Sequence, residues 1–325
     1  MNFWTTLQAE RKAASLPITA LAPMEEVTDV VFRSIIQEIG RPDVFYTEFA
    51  SVEGINSIGR NSVLHRLRRE PNQSPVVAQL WGTTTLHYQK AAEIAVDLGF
   101  EGLDINMGCP VPKVIKRGAC SALIKNPALA KEIVEAARIG LAGRIPLSIK
   151  TRLGFGTIQT EEWIGFILQE LKPDALTIHL RTVKELSGPE PHWEEMAKIV
   201  ALRDKYSPQT ILLANGNLGS LTEITDRQLD TGMDGGMVGR GIFHNPWLFT
   251  GRDPSKITTE EKLQLLIKHT NLFEQTWGPE KNFAVMKRFF KIYTSGFTGA
   301  SELRQQLMEC KTAIEVETII TRFLV

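Results

Sequence analysis

The sequence predicts an α/β protein: a (β/α)8 TIM barrel with a C-terminal all-helical domain. Three observations predict it. Eight short apolar runs rich in β-formers alternate with stretches of helical period, at residues 18–24, 44–49, 75–82, 102–108, 146–152, 175–181, 211–216 and 235–239. These units end near residue 250, an ordinary length for such a barrel. The least core-like residues gather at the carboxyl ends of the runs, where barrels place their chemistry: Pro23-Met24, Gln79, Asn106, Cys109, Lys150, Arg152, His179, Asn215-Gly216 and Gly239-Arg240. A doubly wound open sheet also alternates β and α, and those strand ends decide for the barrel.

Between the runs the helices are legible by period. Ala91, Ile94, Ala95 and Leu98 form one apolar stripe that stops at Gly99, and Trp163, Ile164, Ile167, Leu168 and Leu171 form another. Asn126-Pro127 reads as an N-cap and first helical residue, because the Asn oxygen accepts from an orphan backbone N–H and Pro has none to leave unpaired. Gly251-Arg252-Asp253-Pro254-Ser255 reads as a linker. Beyond it Leu263, Leu266, Ile267, Thr270, Phe273 and Trp277 keep helical spacing. A barrel domain over residues 1–250 and a small helical domain over 251–325 are therefore expected.

Composition excludes several classes. At 325 residues the chain exceeds the size of a single core, in agreement with two domains. A hydrophobic share of 43% and a charged share of 23% exclude disorder. Lys+Arg and Asp+Glu number 37 each, so a polyanion-binding face must come from local clustering. The three cysteines, Cys109, Cys120 and Cys310, are too scattered for a disulfide framework or a metal site and suit a reducing cytoplasm. The stretch Leu16 to Pro23 is too short and proline-broken for a signal peptide, and no run of about 18 apolar residues occurs. A cytoplasmic monomer without a membrane span or metal is expected.

The strand ends suggest the chemistry. Strands seven and eight run into Asn215-Gly216-Asn217 and Gly239-Arg240-Gly241, the two turns where barrels commonly hold a phosphate; glycine lets backbone N–H groups approach and Arg240 adds charge. Lys150 and Arg152, two apart in a strand, point to the same side, toward the mouth. With His179 they would stabilise negative charge on a reduced flavin ring or a uracil carbonyl. Cys109 lies on a turn above the mouth, and a thiol with an ordinary pKa of about 8.5 is mostly protonated at neutral pH and serves as a general acid. Asn106 offers a donor and an acceptor that match the amide-like edge of uracil. Near the C-terminus Lys287 and Lys291 share a helix face with Arg288 beside it, a face that can bind phosphates. Lys113, Lys116 and Arg117, and Arg66, Arg68 and Arg69, would extend that basic track.

The run Asp104-Ile105-Asn106-Met107-Gly108-Cys109-Pro110-Val111-Pro112-Lys113-Val114 resembles the signature of the tRNA-dihydrouridine synthase family. Ala22-Pro23-Met24, Thr28-Asp29, Phe32-Arg33, Gln79-Leu80, Lys150-Thr151-Arg152, His179 with Arg181-Thr182, Asn215-Gly216, Gly239-Arg240 and Asn245-Pro246-Trp247 resemble the rest of its barrel in order, and Met286-Lys287-Arg288, Tyr293 and Gly296-Phe297-Thr298-Gly299-Ala300 its C-terminal part. The resemblance implies an FMN-bound barrel with a helical tRNA-binding domain, in which NADPH reduces FMN, a hydride passes to carbon 6 of a uridine, and Cys109 protonates carbon 5. It implies that Ala22, Pro23, Met24, Gln79, Lys150, His179, Asn215, Gly216, Asn217, Gly239 and Arg240 hold FMN, that Asn106 and Arg152 hold the base, and that Lys287, Arg288 and Lys291 meet tRNA. The chain departs from the family pattern at Glu25-Glu26, at Leu180 and at Cys120, where small residues or glycine are usual; these bear on pocket shape. Two other readings share parts of the pattern, an FMN barrel that reduces a free pyrimidine or other small molecule and a non-catalytic RNA-binding protein. The C-terminal basic cluster argues against the first, and the intact Cys109, Lys150 and His179 against the second.

Overall fold

The computed structural model describes residues 2–325. Its strands are β1 (Ile18–Leu21), β2 (Phe45–Ser51), β3 (Val76–Trp81), β4 (Gly102–Asn106), β5 (Leu147–Arg152), β6 (Ala175–His179), β7 (Ile211–Asn215) and β8 (Gly235–Val238). They pair in parallel as one eight-stranded sheet in the order β1-β8-β7-β6-β5-β4-β3-β2. The ring closes between β1 and β2 through a bridge of Ala20 with Val44, where Leu21 N–H donates to the Val44 carbonyl (3.0 Å) and Val44 N–H to the Thr19 carbonyl (3.1 Å). The runs expected over 18–24, 102–108 and 175–181 end early, at Leu21, Asn106 and His179, because their last residues leave the ladder to form the turns of the mouth.

Alternate residues of each strand point into the ring. Toward the amino ends of the strands the interior is apolar, a buried cluster that includes Ile18, Ala20, Val44, Tyr46, Val77, Ile211, Leu213 and Met237. Trp4, from a helix over Phe3–Ala13, is fully buried in the same cluster and seals the floor. Asn2 Nδ2 donates to Asp174 (2.5 Å) and Gln8 Nε2 to Asp234 (2.7 Å), tying this helix to the loops that enter β6 and β8. Phe3, Trp4 and Leu7 stand at helical spacing, a sequence signal weaker than the stripes between the strands.

The outer faces of the strands bury their apolar residues beneath helices. Thr85–Asp97 and Pro127–Leu141 are helical as expected, the second capped by Asn126, whose side chain accepts from Leu129 N–H (3.2 Å). The stripe from Trp163 to Leu171 is buried as expected but is not α-helical throughout. Its backbone forms two π-helical stretches, Thr160–Ile164 and Ile167–Leu171, and its wider turn closes with Lys172 N–H on the Ile167 carbonyl (2.9 Å). Trp163 Nε1 donates to Thr151 on β5 (2.9 Å), which holds the segment against the barrel.

After residue 250 the longer elements are helices over Thr259–Trp277, Lys287–Tyr293, Ala300–Leu307 and Ala313–Leu324. A reciprocal capping box of Thr258 and Glu261 starts the longest. Their apolar residues belong to the same buried cluster as the outer faces of the barrel. Phe32 stacks on Phe289 with ring centroids 5.5 Å apart, and Trp277 Nε1 donates to Asp29 Oδ2 (2.8 Å). No helix among the described residues is long and apolar enough to cross a membrane.

Candidate active site

Just below the mouth the barrel interior changes from apolar to polar. Asp104 on β4 is fully buried; Gln79 Nε2 donates to its Oδ2 (2.7 Å) and Ser148 Oγ to its Oδ1 (2.6 Å). Burial pushes this carboxyl up to about 6, against the bonds from Ser148 and Gln79 and the charge of Lys150. Gln79 Oε1 then accepts from Asn106 Nδ2 (3.0 Å), and Asn106 Oδ1 accepts from the backbone N–H groups of Gly108 (3.1 Å) and Cys109 (2.9 Å). A chain of oriented amides thus runs from the barrel centre to the turn that carries Cys109.

Cys109 is partly exposed at that turn, and Ser121 Oγ donates to its carbonyl (2.8 Å), which brings the neighbouring Cys120 beneath it. Cys120 is fully buried, with a left-handed φ of 54°, a conformation that accounts for glycine being usual there. Its S–H bonds the Cys109 sulfur; this bond first, then Val111 N–H and the charge of Arg152, pull the Cys109 thiol down to about 7 against burial and nearby Glu25. The thiol thus lies below its ordinary value, held there by its hydrogen-bond donors and by Arg152. Burial and the bond to Cys109 push Cys120 well above the usual thiol range.

Beside this turn lies a cavity of about 520 Å3, within the range of small-ligand sites. Ala22, Pro23, Met24, Lys150, His179, Asn215, Gly216, Asn217, Gly239 and Arg240 all line it, and none of its lining residues is acidic. The turns after β7 and β8 come together on its far side; a Cβ at Gly241 would stand 2.2 Å from the Leu218 carbonyl oxygen. Lys150 Nζ donates to Asn215 Oδ1 (3.2 Å), and Asn215 Nδ2 to the Met237 carbonyl (2.8 Å). Burial and Arg152 bring Lys150 down to about 8, so it stays mostly charged at neutral pH. Burial, then Arg152, Lys150, Arg181 and Arg240, hold His179 far below its ordinary value, so the ring is neutral.

Arg181 lines the same cavity and was not among the expected site residues. Its Nη1 meets His179 Nε2 (3.1 Å), its Nη2 donates to Asn217 Oδ1 (3.1 Å) and its Nε to the Pro189 carbonyl (2.6 Å). The signal for it was the i, i+2 relation to His179, the same relation that links Lys150 to Arg152.

Four expected residues lie off the cavity lining: Cys109, on its turn after β4, and Gln79, Asn106 and Arg152. Gln79 is buried in the network under the mouth. Asn106 spends its oxygen on the Cys109 turn, which leaves one amide hydrogen for a ligand. Arg152 braces the turn from outside, with Nε on the Gly108 carbonyl (2.9 Å) and Nη1 on the carbonyls of Thr182 (3.1 Å) and Leu186 (2.6 Å). Leu180 is buried in the outer apolar cluster and packs near Gly216 of the cavity wall.

The basic residues divide into engaged and free. Arg288 pairs with Glu26 (2.8 Å), Arg66 with Glu25 (2.8 Å) and Arg69 with Glu101 (3.0 Å); Arg68 donates to the Thr276 carbonyl (3.1 Å) and Lys287 to that of Met308. Lys291, Lys113, Lys116 and Arg117 are exposed, and the first of these has no ion-pair partner among the described residues. The free part of the basic track therefore lies beside the Cys109 turn and at Lys291. Among the described residues no group of three or more His, Cys, Asp or Glu could hold a metal ion.

Comparison with known proteins gives concordant results. The family profile described as "Dihydrouridine synthase (Dus)" matches residues 20–324. The chain is 43% identical to the "Probable tRNA-dihydrouridine synthase 2" of Bacillus subtilis (strain 168), over 99% of this chain and 96% of that one. It is 41% identical to a "Probable tRNA-dihydrouridine synthase" of Staphylococcus epidermidis, with the same coverage. Among solved structures it resembles a histamine dehydrogenase from Rhizobium sp. 4-9 (TM-score 0.51, 13% identity, 78% of this chain and 49% of that one). A 6-hydroxypseudooxynicotine amine oxidase from Pseudomonas geniculata N1 is similar at TM-score 0.54 and 12% identity, over 82% of this chain and 54% of that one. The chain spans about half the length of both structures, and at these identities the likeness shows the barrel fold.

Proposed function

The chain belongs to the dihydrouridine synthase family, and on that premise we propose that it reduces chosen uridines of tRNA to 5,6-dihydrouridine, with FMN in the cationic cavity, NADPH as electron donor and Cys109 as proton donor. One observation carries the reading: a cavity without an acidic residue is lined by Lys150, His179, Arg181 and Arg240, and Lys150 pairs across the ladder with Asn106, which leads into the turn that carries Cys109. Its volume, its glycine turns and its converging cations suit a flavin mononucleotide, whose phosphate and reduced ring are both anionic.

Bound FMN supplies the hydride for carbon 6 of the uracil ring. The residues of the chain supply the rest. Arg240 and the turns at Gly216 and Gly239 would hold the phosphate. Lys150 and Arg181 would hold negative charge within the cavity. His179 accepts at Nε2 from the Arg181 guanidinium, which has no acceptor to offer, so its Nδ1 carries the hydrogen and serves as a neutral donor. Cys109 S–H gives its proton to carbon 5, and the thiolate left behind keeps the Cys120 S–H, the Val111 N–H and the charge of Arg152. The remaining amide hydrogen of Asn106 and the Nη2 of Arg152 are the groups we assign to the base.

Residues 1–250 would perform this chemistry and residues 251–325 would dock the tRNA. Lys113, Lys116, Arg117 and Lys291, with Lys287 and Arg288, would hold phosphates while the target uridine leaves its stack. The test combines flavin content with nucleoside mapping. The purified chain is expected to be yellow with non-covalent FMN and to oxidise NADPH faster in the presence of tRNA lacking dihydrouridine. Deletion of its gene should remove dihydrouridine from defined tRNA positions. A colourless protein that FMN does not reconstitute, or an unchanged dihydrouridine map, overturns the reading.

A further inference from the structure

Cys109 and Cys120 are brought together at the mouth of the barrel by the bond from Ser121 to the Cys109 carbonyl, and the proposed reaction uses only one of the two thiols. Their roles are unequal. Cys109 is reachable from the mouth, whereas Cys120 is fully buried behind it. The backbone holds them together from both sides: Asn106 Oδ1 fixes Cys109 N–H (2.9 Å), and Ser121, next to Cys120, donates to the Cys109 carbonyl (2.8 Å). An accessible thiol backed by a buried one is the arrangement of a thiol that is oxidised and then resolved by its neighbour.

We propose that Cys109 and Cys120 are a reversible oxidation site, closed to an internal disulfide by a hydroperoxide and reopened by a small dithiol. The Cys109 thiolate attacks the peroxide oxygen; the O–O bond breaks, a sulfenic acid forms and an alcohol or water leaves. Cys120 gives up its proton and attacks the Cys109 sulfur, and the S–O bond breaks with release of water. Two thiols and one hydroperoxide thus become one disulfide, one alcohol (water, from hydrogen peroxide) and one water. A dithiol reverses the change by two exchange steps and is itself oxidised to its disulfide. The product has no S–H on Cys109, so uridine reduction stops while the cavity beside it is left as it was. That consequence rests on the proposed role of Cys109; the disulfide itself does not.

The experiment treats the full chain, as purified, with a few equivalents of hydrogen peroxide, alkylates the remaining thiols after unfolding, and maps the peptides. Of the three free thiols, Cys109, Cys120 and Cys310, only Cys310 should still be alkylated, and a linked peptide pair two hydrogens lighter should join Cys109 to Cys120. Dithiothreitol should restore all three thiols together with tRNA reduction. In Cys120→Gly, which suits the left-handed backbone at that position, Cys109 should instead run on to sulfinic acid that dithiothreitol does not recover. Wild-type Cys109 oxidised beside a freely alkylated Cys120, or a Cys120→Gly protein that recovers as fully as wild type, overturns the proposal. A linked pair in a protein whose tRNA reduction is unaffected would establish the disulfide and overturn Cys109 as proton donor.

Discussion

Arg181 Nη1 stands 3.1 Å from His179 Nε2, so a buried guanidinium sets which nitrogen of a cavity-lining imidazole carries the hydrogen. Hydrogen bonds to charged groups are worth about 1.5–3 kcal/mol. Arg181→Ala is therefore expected to weaken FMN binding by about ten- to hundredfold, at about 1.4 kcal/mol per factor of ten. Arg181→Lys should recover only part of this, because the fork that reaches His179, Asn217 and Pro189 at once is lost. Titration of apoprotein with FMN, followed by fluorescence quenching, measures it; equal affinity in all three proteins would remove Arg181 from the site.

Cys109→Ala should retain FMN and its reduction by NADPH and lose about 10²- to 10⁴-fold in uridine turnover, the usual contribution of a general acid. Single-turnover mixing of the reduced enzyme with tRNA isolates that step.

The acid must be protonated to act, so turnover should fall as pH rises through about 7, where the Cys109 thiol ionises. The largest cause of that low value is the S–H bond from Cys120, with Arg152 lowering it further and Glu25 opposing. Cys120→Ala removes a donor to the thiolate, raises the Cys109 pKa, and should move the alkaline fall upward while neutral-pH turnover changes only a few-fold. A pH–rate profile of both proteins decides, and coincident alkaline limbs would rule out the thiol pair as the tuning device.

Glu48 on β2 is buried, with Oε1 accepting from Glu26 N–H (2.6 Å) and Oε2 without a protein partner. Burial, with Asp29 nearby, raises it to about 7 against the charge of Lys281. Its folded value lies above its unfolded one, so its contribution to stability is complete below about pH 4.5 and is lost as pH rises through 7. Because a tenfold change in an ionisation constant is worth about 1.4 kcal/mol, this amounts to at most about 3 kcal/mol. Glu48→Gln should flatten the decline of thermal stability between pH 5 and about 7.5, and parallel melting curves against pH in the two proteins would contradict the assignment.

Replacing Lys287, Arg288 and Lys291 together by alanine should weaken tRNA binding and reduce its salt slope by roughly 0.7–0.9 for each phosphate no longer neutralised. Because Arg288 is already paired with the Glu26 carboxylate, Glu26→Gln should remove that ion pair, leaving only the bond to the Glu26 carbonyl, and tighten binding slightly. A salt series of tRNA affinities tests both. Unchanged slopes for the triple variant, beside weaker binding when Lys113, Lys116 and Arg117 are replaced together, would locate docking at the Cys109 turn alone.

Much of this was readable from residue order because a parallel barrel imposes two simple rules. Buried strands appear as apolar runs, and polar residues at their carboxyl ends converge on one mouth, which is how ten residues from Ala22 to Arg240 came to line one cavity. What was illegible depended on partners distant in the chain. Nothing near Gln79 announces that it stands beneath the ligand cavity, since its place follows from Asp104 across the ladder. The charges of Arg66, Arg68, Arg69 and Arg288 looked available because their partners, Glu25, the Thr276 carbonyl, Glu101 and Glu26, lie far away in sequence. The thiol pKa was illegible for the same reason: in the sequence Cys120 stands only as a departure from a family pattern, and its role as a hydrogen-bond donor appears once the chain is folded.

The helix Phe3–Ala13 emerges from the ribosome ahead of every strand, yet its anchors, Asp174 and Asp234, and the barrel floor that buries Trp4 are built from segments translated much later. Until β8 is made and pairs with β1, Trp4 has no ring to close and Gln8 has no Asp234 to bond. This stopper must therefore wait out most of synthesis with its apolar face exposed and dock among the last events of folding, as contacts of such long sequence separation do.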